Sequence, residues 1–572
     1  MPVTVPRLAY PSWFFTLQEL VIQGLRWVIL GIFLMFLAVP LLFIFIRAFQ
    51  NEAMQWVGVS LFLDIVQAPG FFQAVQQSVY VGLATVVIVI PLAYAFAFML
   101  HRTQVPYKPF WEMIALLPLL APSLLPGISL VYLFGNQGLF KELLGSSSIY
   151  GFKGIVLGEA FYTFPHALMV LRTGLAMGDV RLYEAAKSMG AGAWRRFSTI
   201  TFPSSHYAVF SAGCLVFTLS VTDFGVPKVI GGHYNVVALE AYKAVVGQLQ
   251  FGKGAAIGLL LLVPALLTFC VDYFLRKKQS KTRQTAQGFF VERHRWRDRS
   301  FLLITLLVCL WLLLVIGVAV WASFIQFWPY NLSFSLRSYD FDNMAGGGWL
   351  AWINSLKLAL LTAVFGAVLV FLNAWLINKV LVTRSFGLWV NQCIRFCVLM
   401  PMAVPGLVLG LGYILFFNHP ANPLRHLYGG MTLLVICTVV HFYTSAYLTM
   451  QSTLDRLAPE IEAAAASLKA SAWQTLWRVT LPLSFPTILQ IIRYLFVSAM
   501  TTVSAVVFLY SPQTVLAAVA VLNMDDAGHI GAAAAMSVLI MSSSAMVSVL
   551  LHLATRTVRK RSQAWQALPD TY

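Results

Sequence analysis

The sequence predicts an all-α polytopic membrane protein, organised as two parallel-topology repeats of about six membrane helices each. Three observations carry that reading. The chain of 572 residues is 59% hydrophobic and only 10% charged, with a mean hydropathy of +0.79, whereas soluble domains carry roughly a quarter charged residues. Its apolar residues gather into runs of about 20, the length of a helix that crosses a bilayer. Finally, two separate sets of landmarks recur at one fixed offset.

Moving the sequence by 279 positions places Trp194 on Trp473 and Pro203 on Pro482. The same shift carries Pro122, Pro126 and Gly127 onto Pro401, Pro405 and Gly406. Two independent landmarks with one offset indicate a duplicated unit. The first island is Glu184-Ala185-Ala186-Lys187-Ser188-Met189-Gly190, closing at Ile200-Thr201-Phe202-Pro203. The second is Ala463-Ala464-Ala465-Ala466-Ser467-Leu468-Lys469, closing at Val479-Thr480-Leu481-Pro482. Both are polar, Ala-rich stretches between apolar runs. Alanine favours helix, its small side chain lets another surface come close, and Gly190 permits a turn that a residue with a Cβ resists. The second island departs from the first: Ala463 takes the Glu place, Glu462 stands one residue early, and Lys469 occupies the glycine position.

Apolar runs place spans at about 27–46, 77–100, 110–134, 154–175, 206–227 and 255–275, then at about 301–325, 352–377, 390–417, 429–450, 486–510 and 530–553. This gives a segment 1–26, a first repeat 27–275, a linker 276–300, a second repeat 301–553 and a tail 554–572. Net charge is +17. In a soluble protein that excess suggests nucleic acid; here the basic residues sit in short loops beside spans, where they set orientation, and no nucleic-acid partner is expected. The linker carries Arg276, Lys277, Lys278, Lys281, Arg283, Arg293, Arg295, Arg297 and Arg299, and the tail carries Arg556, Arg559, Lys560 and Arg561. With six spans per half, these fall on one side together with both Ala-rich islands and both termini. The positive-inside bias makes that side cytoplasmic.

Glu184, Ala185, Ala186, Gly190, Ile200 and Pro203 resemble the "EAA" loop of permease subunits in bacterial ABC importers, with Phe202 in the Leu place of its Ile-x-Leu-Pro ending. The resemblance implies the type I importer permease fold, with cores at about 77–275 and 352–553 and coupling loops at 184–203 and 463–482. Spans one and seven become peripheral helices around the core. It further implies a multi-pass protein of the bacterial cytoplasmic (inner) membrane, in contact with lipid. Its partners would be a dimer of ATP-binding subunits docked on both loops and a periplasmic or lipid-anchored solute-binding protein. Residues Glu184, Ala185, Ala186 and Gly190, with Ala463, Ala464, Ala465 and Lys469, would form the docking surfaces. Fused permeases of this kind resemble the ferric-iron, thiamine and 2-aminoethylphosphonate importers. The run Leu219–Gly232, with Tyr242, Lys243, Val246 and Gly247, is most similar to permeases assigned to 2-aminoethylphosphonate. A twelve-helix secondary transporter of the major facilitator kind is the alternative. Its usual Gly-x-x-x-Asp-Arg-x-Gly loop is not what His101-Arg102-Thr103-Gln104-Val105-Pro106 spells.

No Gly-x-x-x-x-Gly-Lys-Ser/Thr loop occurs, Gly252-Lys253-Gly254 being the nearest fragment. ATP and Mg are therefore expected on a partner, and this chain is expected to hold no cofactor, to catalyse no reaction and to bind no metal. Polar groups inside a membrane are costly, so they mark function. Asp223 and Thr222 near the outer end of span five are pathway candidates, as are Thr502 and Ser504 at the shifted position and His166 in span four. The structural alternatives are that Asp223 caps its span or pairs with Lys228, that His166 is a bonded core histidine, and that Glu159 sits at the outer interface. Pro122, Pro126, Gly127, Pro401, Pro405 and Gly406 interrupt the third span of each half and are candidates for a kinked gate.

Overall fold

The structure is a computed structural model that describes residues 12–176, 179–279, 293–378, 385–457, 459–468 and 470–562. Its first span, α1 (Leu20–Arg47), is helical from Ser12 onward, so the helix begins inside the segment read as preceding the membrane. Next come α2 (Phe71–Arg102), the bent pair α3 (Lys108–Leu120) and α4 (Leu124–Phe134), and α5 (Phe152–Ala176). The short α6 (Val180–Ser188) leads into α7 (Ala193–Thr222), α8 (Gly225–Ile230) and α9 (Phe251–Val271).

The second half repeats the order with α10 (Arg295–Ser323), α11 (Gly348–Asn378), the bent pair α12 (Gly387–Ala403) and α13 (Gly406–Phe417), and α14 (Met431–Leu454). Then follow α15 (Pro459–Ser467), α16 (Ala472–Thr501), α17 (Ala517–Asp526) and α18 (Ile530–Arg559). Among the described residues, 10 helices are long and apolar enough to cross a membrane, or up to 12 if each bent pair is one span. Adding 279 to the bounds of α6 and α7 gives those of α15 and α16 residue for residue.

Two differences from the sequence reading have clear causes. The third span of each half is not a kinked rod: α3 and α4 meet at 102° and α12 and α13 at 113°. Ala121, Pro122 and Ser123 separate the first pair, and Val404 and Pro405 the second. A proline cannot supply the helical amide and bars the residue before it from helical geometry. Span five ends at Thr222 and span eleven at Thr501, well short of 227 and 510, because Asp223 and Thr502 take extended backbone with ψ of 137° and 135°. The apolar residues that follow belong to short segments buried inside the protein, which composition alone does not separate from a span. Between α10 and α11 lies an antiparallel hairpin, Ile325–Phe327 with Asn331–Phe334.

Within each half α2, α5 and α7, and likewise α11, α14 and α16, pack as a trio. The peripheral helices exchange partners: α1 lies against α12 and α13 of the second half, and α10 against α4 of the first. Close approach explains the fit. The α1 helix widens to a π turn at Leu34–Ala38, and Tyr413 of α13 donates its hydroxyl to the Phe36 carbonyl there at 2.6 Å. A Cβ on Gly412 would stand 2.8 Å from the Pro40 carbonyl oxygen, so only glycine lets these backbones meet.

Candidate functional site

The two Ala-rich islands fold into matching turns. Asp179 caps α6 by accepting from the Arg181 amide at 2.9 Å. After α6 the chain reverses at Gly190, whose φ of +72° is the left-handed conformation that a residue with a Cβ resists. It then re-enters helix at Ala193. Glu184 and Ala185 are exposed and Ala186 is buried. The apolar side chains of Leu182, Met189 and Trp194 also face outward, the last two at 79% and 78% exposure. In the second half Ala463 and Ala464 are exposed, Ala465 is half-buried, and Leu468 and Trp477 are exposed. Lys469 lies outside the described residues. A capping box between Ser471 and Gln474 opens α16.

The other sequence candidates converge at the opposite ends of α7 and α16. In the first half the chain after Asp223 folds onto the break between α3 and α4. A Cβ on Gly225 would lie 2.5 Å from the Ser123 hydroxyl oxygen, and one on Gly127 would lie 2.9 Å from Val229 Cβ. In the second half a Cβ on Gly406 would meet Ser504 Oγ at 2.5 Å and His441 Nε2 at 3.0 Å. Pathway and kink candidates are thus neighbours in both halves. Pro122, Pro126, Pro401 and Pro405 are buried at these breaks.

Asp223 is half-buried and accepts from the Val226 amide at 2.8 Å, which fixes the start of α8. Burial lifts its carboxyl above the usual range, opposed by that amide. Asp223 does not pair with Lys228; Lys228 reaches Asp526 of α17 at 2.8 Å and so bridges the two halves. Beside it, burial and the Asp526 charge raise the Asp525 carboxyl to about 6. Glu159 is not an interface residue: it is 0% exposed, close enough to Asp223 and Ser220 to feel their charge and dipole, and both its carboxyl oxygens are buried without a hydrogen-bond partner among the described residues. Sequence reading missed this pair because Glu159 and Asp223 are 64 positions apart, and only the packing of α5 on α7 joins them.

His166 Nδ1 lies 3.1 Å from the Tyr162 carbonyl oxygen, so that nitrogen carries the proton and the ring is tied to its own helix. Thr222 bonds back to the Thr218 carbonyl at 2.8 Å, Thr502 is buried and Ser504 is half-buried.

Two homologous helical halves, each with a broken third span and a partner-sized turn, define a membrane permease. The chain belongs to the family of binding-protein-dependent transport system inner membrane components, whose profile matches residues 90–281 and 380–560. It is therefore an ABC importer permease subunit with that domain present twice, and the major facilitator alternative falls away. It is 27% identical over 581 residues to the ferric transport system permease protein FbpB of Actinobacillus pleuropneumoniae, covering 96% of this chain and 80% of that protein. A protein of Salmonella paratyphi A, provisionally named 2-aminoethylphosphonate transport system permease protein PhnV, is 26% identical over 43% of this chain and 89% of its own length. The molybdenum transport system permease protein ModB of Escherichia coli is 33% identical over 27% of this chain and 69% of its own. A solved bacterial ABC transporter for the acidic polysaccharide alginate aligns with 47% of this chain and 96% of its own, at 16% identity and a TM-score of 0.36.

Proposed function

We propose that both turns, 184–203 and 463–482, receive the two ATP-binding subunits of the importer on the cytoplasmic side. ATP and Mg act on those subunits, and a periplasmic or lipid-anchored solute-binding protein delivers the cargo to the other face. The observation that carries this reading is the exposure of large apolar side chains at both turns, Leu182, Met189 and Trp194 in the first and Leu468 and Trp477 in the second. Exposed apolar surface of that kind marks a partner site. ATP-driven closure of the docked subunits would move both turns together and switch the cavity between its two openings.

The Lys228–Asp526 bridge supports a resting state closed on the outer side. For the cargo, the resemblance to a ferric permease along nearly the whole chain favours ferric iron, and the Glu159–Asp223 pair suits a cation better than a phosphonate. The run Leu219–Gly232 favours 2-aminoethylphosphonate as the second reading. Purified chain in proteoliposomes, supplied with its ATP-binding subunits and binding protein, is expected to import cargo only with ATP. Uptake driven by an ion gradient without ATP would overturn the proposal. Titrating ferric ion and 2-aminoethylphosphonate against the cognate binding protein decides the cargo.

A further inference from the structure

The first turn is held to the membrane helices by a closed polar circuit. Arg102, the last residue of α2, is 5% exposed, and its guanidinium carbon sits 4.5 Å from the centroid of the Tyr183 ring in α6. The same guanidinium donates to the Leu175 carbonyl at the end of α5 at 3.3 Å. Tyr183, itself buried, donates its hydroxyl to Thr201 Oγ1 at 2.7 Å. Ser205, one turn further along α7, donates to the Thr201 carbonyl at 2.8 Å and lies 2.9 Å from the hydroxyl of Tyr94. Tyr94 is on α2, as is Arg102, so the circuit returns to its starting helix.

We propose that Arg102 and Tyr183 are the positioning residues through which a push on the first turn reaches α2, α5 and α7. This rests on the reading that the turn receives an ATP-binding subunit. A buried cation on an aromatic face is held more tightly than an exposed one. The carbonyl that the guanidinium also binds lies at a helix C-terminus, where a cation is favoured. Tyr183 therefore cannot move away from Arg102 without dragging α2 and α5 or giving up both the cation–π contact and its hydrogen bond to Thr201.

The second half has no counterpart. The shift of 279 puts Leu381 at the place of Arg102, Glu462 at Tyr183 and Asn373 at Tyr94, while Thr480 and Ser484 repeat Thr201 and Ser205. Leucine has no charge and glutamate no ring, so the pair cannot form. That turn is held instead by Trp473 against Trp375, ring centroids 5.4 Å apart. The two turns are thus held by different chemistry, a buried cation on an aromatic face in the first and an aromatic pair in the second.

The test is the ratio of cargo imported to ATP hydrolysed, measured on the full complex in proteoliposomes. Tyr183→Leu and Arg102→Gln are each expected to lower that ratio about tenfold while the ATP-binding subunit still co-purifies, whereas Tyr183→Phe and Arg102→Lys lower it only about threefold. The double variant should be no worse than either single one, since both act through one contact. An unchanged ratio in Tyr183→Leu, or a loss that merely follows loss of the bound subunit, overturns the inference. If Tyr183→Leu and Arg102→Gln do not assemble, the conservative pair gives the reading, and a ratio equal to the unsubstituted chain's in both overturns it. Failure of the unsubstituted chain to bind any ATP-binding subunit would instead remove the docking proposal.

Discussion

The two halves keep the same backbone and have diverged in their polar chemistry. Breaks after α3 and α12, extended residues after α7 and α16, and short helices α6 and α15 recur at one offset. The groups around them do not. The first half carries Arg102 on Tyr183 and Glu159 on Asp223; the second carries leucine, glutamate and threonines at those places, and bonds Asn373 to the Tyr443 hydroxyl at 2.8 Å. Prolines and glycines set where the chain can turn, and both halves need the same turns. Charged groups serve particular partners, and the two halves need not serve the same ones.

The comparison breaks most sharply at Gly190. Gly190→Val forces a β-branched residue into left-handed backbone, costing roughly 1–2 kcal/mol or displacing the turn. We expect ATP-driven uptake to fall by an order of magnitude or more with insertion intact, whereas Lys469→Val, at a position that already bears a side chain, changes it little. Equal effects of the two on uptake would erase the difference between the turns.

Next in size is the second break. Gly406→Ala drives a methyl into Ser504 and His441, an overpacking cost of about 1–3 kcal/mol. Ser504→Gly added to it should recover much of the thermal stability, since the hydroxyl is the nearest obstacle. No recovery would show that the close packing there is not what fixes the bend.

Asp223→Asn keeps an acceptor for the Val226 amide and removes the carboxylate near Glu159. For a cationic cargo we expect the concentration giving half-maximal uptake to rise about threefold to tenfold, with Thr502→Val at the matching place having little effect. Unchanged cargo dependence would withdraw Asp223 from the pathway.

The smallest effect concerns Asp525. Its folded-state carboxyl is raised from 3.8 to about 6, so the folded protein binds this proton more tightly than the unfolded chain. The resulting stability is fully present below the unfolded value and is lost as pH rises through about 6. From pH 7 to pH 5 the unsubstituted chain should therefore gain about 1 kcal/mol of stability relative to Asp525→Asn, discounted for partial exposure. The same increment in both would assign the pH dependence elsewhere.

Much of this was legible beforehand. Apolar length gave most of the membrane helices, and the repeated Trp, Pro and Gly positions gave the duplication and both turns. What stayed hidden were contacts between distant positions. Lys228 met Asp526 rather than nearby Asp223 because the two halves touch at those ends. Glu159, near the start of a span, read as interfacial because a one-dimensional profile gives depth along a helix and not which face of it is covered.

The sequence by itself determined where the chain is apolar enough to cross, where it must bend and that it does so twice. These follow from local physics: solvation of the backbone in lipid, proline's missing amide and glycine's freedom. The tertiary structure alone decided the exchange of α1 and α10 between halves, the joining of Glu159 to Asp223 and the seating of Arg102 on Tyr183. Each depends on which helix faces are pressed together, and close packing between segments far apart in sequence leaves no periodic trace in either one.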